Sequence, residues 1–176
     1  MRSFFFPVGL LSILLTMDLC RQQETGNDLY AKADSLLRLT LALQAKIGSP
    51  EIQRMHDFQE EIGRDLSFLG NPPEEDTLVT RYRELYSGLG NCMQACNQYH
   101  EEVFMLESSL REIMDKSLAK GASPMVLNEI LAFEMNNYND LSGRIDSSLN
   151  QAIRQAETFY SLKPSIDSIR DMERWP

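Results

Sequence analysis

Eleven residues in the middle of the chain fall into one unbroken alternation of fours and threes. They are Leu78, Tyr82, Leu85, Leu89, Cys92, Cys96, Tyr99, Val103, Leu106, Leu110 and Ile113. A mean step of ~3.5 residues keeps pace with the ~3.6 residues of an α-helical turn, so all eleven share one stripe of a helix. A strand turns successive side chains to opposite faces and cannot hold such a pattern. A helix with an oily edge five heptads long has to bury that edge against other helices. From Asp28 onward no segment alternates with period two between turn residues, so the expected fold class is all-α.

The ends of this helix carry their own signals. Asn71-Pro72-Pro73-Glu74-Glu75-Asp76 supplies a cap, prolines suited to the first turn, and acids facing the positive end of the helix dipole. Lys116, Lys120 and Gly121 mark the other end, with the glycine where a left-handed residue is expected. A further arm opens at Ser123-Pro124. Its stripe runs Leu127, Leu131, Met135, Tyr138, Leu141, Ile145, Leu149, Ala152, Ala156, Tyr160, with a stutter of consecutive fours at Leu141–Ile145–Leu149. Pro164 is expected to kink or end it, with Ile166, Ile169 and Met172 as a last amphipathic piece. The first arm has two heptad halves: Leu29, Ala33, Leu36, Thr40, Leu43, Ile47, then Ile52, Met55, Gln59, Ile62, Leu66, Leu69. Gly48-Ser49-Pro50 parts them.

The arms 28–69, 72–120 and 124–172 are nearly equal, each about 60–75 Å long at ~1.5 Å per residue. Matched arms with short connections imply an elongated, coiled-coil-like antiparallel three-helix bundle whose first helix is kinked at 48–50. The alternative is a four-helix arrangement with two short N-terminal helices. The turns set a register: facing residues total about 141 between the first and second arms and about 243 between the second and third. On that map the 48–50 break, Gly88 and Gly90, both cysteines and the polar stretch Ser147–Gln151 share one level. Two readings stay open for this level, a packing compromise around a kink and a hinge or small pocket.

Charge excludes some functions. With 17 Lys+Arg against 26 Asp+Glu the chain carries −9, and no window clusters cations, which argues against nucleic acid and against a polybasic membrane patch. The first residues, MRSFFFPVGLLSILLTMDLC, place one Arg before an apolar run from Phe4 to Leu15 that is too short for a span of ~20 residues. A signal peptide over 1–19 is expected. Leu14–Cys20 resembles a bacterial lipoprotein signal, with Leu19 and Asp18 where small residues are usual. Lipidation of Cys20 is therefore the leading expectation, with simple secretion and an uncleaved anchor as the others. Residues 20–27 then form a polar tether and 28–176 the bundle domain.

Only one constellation looks like a site. Cys92 and Cys96 lie one turn apart on a shared face, and His100 drifts ~80° from Cys92. They are candidate metal ligands, lacking a fourth partner; His56 falls roughly 10 Å away along the axis. A Cys92–Cys96 disulfide is within reach but badly aimed on a helix. Two reduced core thiols are the simplest reading. Enzyme motifs and the Glu-x-x-His pairs of di-iron bundles are absent from the sequence, and no cofactor is expected. His56 and Glu60 read as an exposed pair, Glu60-Glu61 and Glu101-Glu102 as solvated faces, and Met55, Met93, Met105, Met114, Met125 and Met135 as gap-fillers. Trp175 is expected to pack over the bundle end or, with Glu74, Glu75 and Asp76 at the same tip, to form a contact for a partner.

Cys20, Tyr99-His100-Glu101-Glu102, the Lys120–Pro124 turn and Phe159-Tyr160-Ser161-Leu162-Lys163-Pro164 together resemble the small helical lipid-anchored or secreted proteins frequent in Bacteroidota. The resemblance covers most of the mature chain, rests on weakly specific motifs and implies no activity. The expected function is that of a non-enzymatic lipoprotein of the bacterial cell envelope, anchored by lipid in the outer membrane or else secreted to the periplasm. It would act as a helical spacer or as an interaction module for an envelope protein. The alternative is a thiol-redox or metal-binding helical protein centred on Cys92 and Cys96.

Overall fold

The computed structural model describes residues 25–69, 77–119 and 121–173. Cys20, the 1–19 segment, Glu74, Glu75, Asp76 and Trp175 lie outside the described residues. Within them the protein is a bundle of helices with no strand: α1 Gly26–Ile47, α2 Pro50–Leu69, α3 Thr77–Leu118 and α4 Pro124–Glu173.

α1 begins two residues before the expected Asp28. Thr25 is its N-cap, and the side chains of Thr25 and Asp28 each take the other's backbone N–H. This reciprocal box satisfies two donors that a helix start leaves open, and it draws Gly26 and Asn27 out of the expected tether. The Thr25 hydrogen bonds hold the Asp28 carboxyl below its usual range. α1 stops at Gly48 and Ser49, whose amides bond back to Gln44 O and Lys46 O. Pro50 and Pro124 each stand first in their helix, where the missing N–H costs nothing. Gly121 takes φ +97°, the left-handed conformation expected of it.

α1 and α2 form one arm with a break, not a hairpin. Gly26 abuts Ser117 O, Gln59 donates to Tyr86 O, and Tyr82 donates to Asp65. The facing numbers total 143, 145 and 147, so α2 keeps the course of α1 along α3. The expected 141 is off by about a turn. Between α3 and α4 the pairs Ser109–Glu134 and Gly88–Gln155 both total the expected 243. Lys46–Asp146 and Asp65–Lys163 join the first arm to α4 running the same way.

Every expected α1 position is buried, with Leu37 added. On α3 ten of the eleven seam residues are buried; at the first turn Val79 is buried and Leu78 only partly covered against the same cluster. α4 departs further. Met135 and Tyr160 are exposed, Tyr138, Leu149 and Ala156 only partly covered, and Phe159 and Leu162 are buried instead; of the last piece Ile166 is buried as expected, Ile169 partly covered and Met172 exposed. Beyond Ala152 the stripe returns to heptad steps and does not drift in fours. Pro164 lies within a continuous helix. The carbonyl its ring leaves unbonded is that of exposed Tyr160, which water can serve. Met105 and Met125 are exposed too, so they fill no gap.

The apolar interior forms two clusters. One joins α1 to α3 from Cys96 onward and to α4 up to Ile145; the other joins α2 to α3 up to Cys92 and to α4 from Ala152. Ile52 packs against both.

Candidate functional site

The division between the clusters falls at the level where sequence places the break, the glycines and the cysteines. Cys92 and Cys96 are free and buried. The Cys92 thiol donates to Ser148 O at 3.6 Å, and Tyr99 Oη lies 3.1 Å from Ser148 Oγ. The neighbouring Cys92 and burial both push the Cys96 thiol above its ordinary value. His100 faces solvent, so the structure does not gather it with the thiols. Among the described residues no group of three or more His, Cys, Asp or Glu is arranged to hold a metal. His56 and Glu60 form the expected exposed pair, 3.5 Å apart.

The two glycines of α3 make room for amide side chains. A Cβ on Gly88 would lie 2.4 Å from Gln155 Nε2, and one on Gly90 2.7 Å from Gln59 Nε2. The small residues thus let long polar side chains from α4 and α2 lie across α3. Beside them a cleft of about 210 Å³ opens between α2 and α4, floored by Ala152 and Ala156 and walled by Phe58, Ile153 and Tyr160. Phe58 stacks on Phe159 at 4.6 Å, which stiffens that wall.

A second feature escaped the sequence reading. Asp65 is 3% exposed, although it stands in a row of charged residues. It accepts from Tyr82 Oη at 2.9 Å, Lys163 Nζ at 2.8 Å and Arg170 at 3.1 Å. Lys163 also pairs with Glu61 at 3.1 Å and Asp167 at 2.7 Å, and Arg170 with Asp167 at 3.0 Å. Glu61 is therefore part of a network and not of a solvated face. Glu102 likewise reaches across to Arg144. Burial alone would depress the Lys163 pKa, but the bonds from Asp167, Asp65 and Glu61 outweigh it and hold the ammonium above its ordinary range. Burial and the bond to Asp65 raise Tyr82 well above 10.0. The heptad offered one signal: Asp65 lies three residues after Ile62, on the buried side of α2.

A third feature is a groove of about 390 Å³ along α3 and α4, lined by Met105, Leu106, Phe133 and Leu141 with Glu102, Glu134 and Asp140 beside them. No family model, curated protein or solved structure matches the chain.

Proposed function

We propose that the protein is a non-enzymatic lipoprotein of the bacterial cell envelope, held in the outer membrane by lipid on Cys20. Its elongated antiparallel three-helix rod serves as a spacer and as a docking module for an envelope protein. The observation that carries this reading is that the α3 seam from Tyr82 to Ile113 is buried by helices of the same chain. A rod that closes on itself keeps its shape alone and offers its outer face to others. The apolar run before Cys20 supports export. No helix among the described residues is long and apolar enough to cross a membrane. From an anchored Cys20, α1 and α2 lead away, α3 returns and α4 leads away again.

The test is incorporation of radiolabelled fatty acid in wild type and Cys20→Ala. Label on wild type alone, with the variant lost from the membrane fraction, supports the anchor. Unlabelled soluble wild type makes it a secreted periplasmic protein, and unlabelled membrane-bound wild type an uncleaved anchor.

A further inference from the structure

We infer that the groove between α3 and α4 docks a basic amphipathic helix of a partner protein. The inference rests on the reading of the rod as an interaction module and gives its partner a chemistry.

Three observations meet here. The groove displays large apolar side chains to water: Met105 is 70% and Phe133 62% exposed. Val126, Ile130 and Phe133 are all exposed and follow one another by four and three, so they share a face of α4. The apolar part of this face, Val126 to Phe133, is about 10 Å long and leads into the groove at Phe133, and Asn137 and Asp140 carry the face on to about 21 Å, roughly four helical turns. The apolar part is a row of anchors, the form that helix-in-groove recognition takes.

The rim is acidic and held in place. Glu134 accepts from Ser109 at 2.5 Å and from Asn137 at 3.0 Å, which fixes its carboxylate beside the floor. Glu102 and Asp140 both pair with Arg144. Three carboxylates against one guanidinium leave two negative charges around an apolar floor. Cationic residues flanking an apolar helical face complement that arrangement.

A second copy is the less favoured occupant. An isologous pair would bring the same acids together, and like charges across an interface are costly. The chain also offers no cluster of Lys or Arg to serve as the basic helix.

The test uses the full chain and two labelled synthetic helical peptides of about four turns. Both carry the same leucine face, one flanked by lysines and arginines, the other by glutamates. Fluorescence anisotropy should show the cationic peptide binding at least tenfold more tightly. Phe133→Asp should weaken it at least tenfold, and Glu134→Lys with Asp140→Lys should abolish the preference for positive charge. Circular dichroism checks that each variant stays folded, and Met105→Asp repeats the test from α3 should Phe133→Asp unfold. Equal binding of both peptides, binding of neither, or indifference to the groove variants overturns the inference. So does a concentration-dependent dimer that Phe133→Asp dissolves, which would make the occupant a second copy. A partner cross-linked in cells that stays bound to Phe133→Asp leaves the module reading standing and removes the groove from it.

Discussion

Tyr82, on the third helix, donates its hydroxyl hydrogen to Asp65 of the second at 2.9 Å, and neither side chain is open to water. The carboxylate is shared with Lys163 and Arg170 of the fourth, so one acid ties all the arms together near the Leu69 end of the second helix.

Replacing Asp65 by Ala should destabilise the fold by about 2–3 kcal/mol. Removing one partner of a fully buried pair costs ~3–5 kcal/mol. Lys163 and Arg170 keep Asp167 and some contact with water, which lowers the cost. Urea denaturation checks the value, with Asp34→Ala, an exposed pair with Arg38, as a control that should change it by less than about 1 kcal/mol.

The same cluster should make the protein sensitive to alkali. Tyr82 and Lys163 hold their protons more tightly folded than unfolded. Their stabilising effect is complete below the unfolded values near 10.0 and 10.5 and declines as pH rises past them. The melting temperature should therefore fall steeply above pH 10. Tyr82→Phe should melt lower at pH 7, through loss of a bond to a charged group, yet show a shallower alkaline decline. An unchanged decline would show that Tyr82 does not titrate with unfolding.

Helical glycines should respond to alanine according to what faces them. Gly143 has nothing within 4 Å of a Cβ, so Gly143→Ala should stabilise by about 1 kcal/mol. At Gly26 the Cβ would meet the Ser117 carbonyl at 2.1 Å, and backbone cannot step aside. Gly26→Ala should cost about 1–3 kcal/mol. At Gly88 the obstacle is the end of Gln155, so Gly88→Ala should become favourable once Gln155→Ala is added. Melting curves of the four proteins in that cycle give the coupling, expected at about 1 kcal/mol.

Cys92 and Cys96 should react slowly with a thiol reagent in the folded protein and rapidly, two per chain, after denaturation. Burial keeps the reagent from both, and the bond between them raises Cys96 while lowering Cys92, so Cys92 should be the first to react when the bundle opens. Prompt reaction of the native protein, or a metal that survives dialysis, would favour the thiol-centred alternative.

On α1 and α3 the heptad steps and the structure agree closely, whereas of the six expected α2 positions only Met55 and Ile62 are buried and Ile52, Gln59, Leu66 and Leu69 are partly covered. α1 matches position by position, and α3 misses only at Leu78, where the helix is starting. α4 beyond Ala152 was harder because Phe159 and Tyr160 are adjacent and both suit a core. The choice follows from Phe58 and Tyr82, which offer Phe159 rings to stack on. That information lies on other arms. Asp65 was hidden for a related reason: its two cations stand about a hundred residues away, and only folding brings them to it. The groove on α3 and α4 is equally invisible in the sequence, since Met105 reads as an interior residue until its neighbours are placed and leave it exposed.

The parting of the interior between Cys92 and Cys96 has a mechanical corollary. Each half of the rod owns a separate oily nucleus, bridged by Ile52 and by the uninterrupted backbones of α3 and α4. Amide exchange should then proceed in two instalments, with the α1 half and the α2 half opening at different free energies. Pulled at its two ends, the bundle should give way first in the half with the weaker nucleus while the other half still holds.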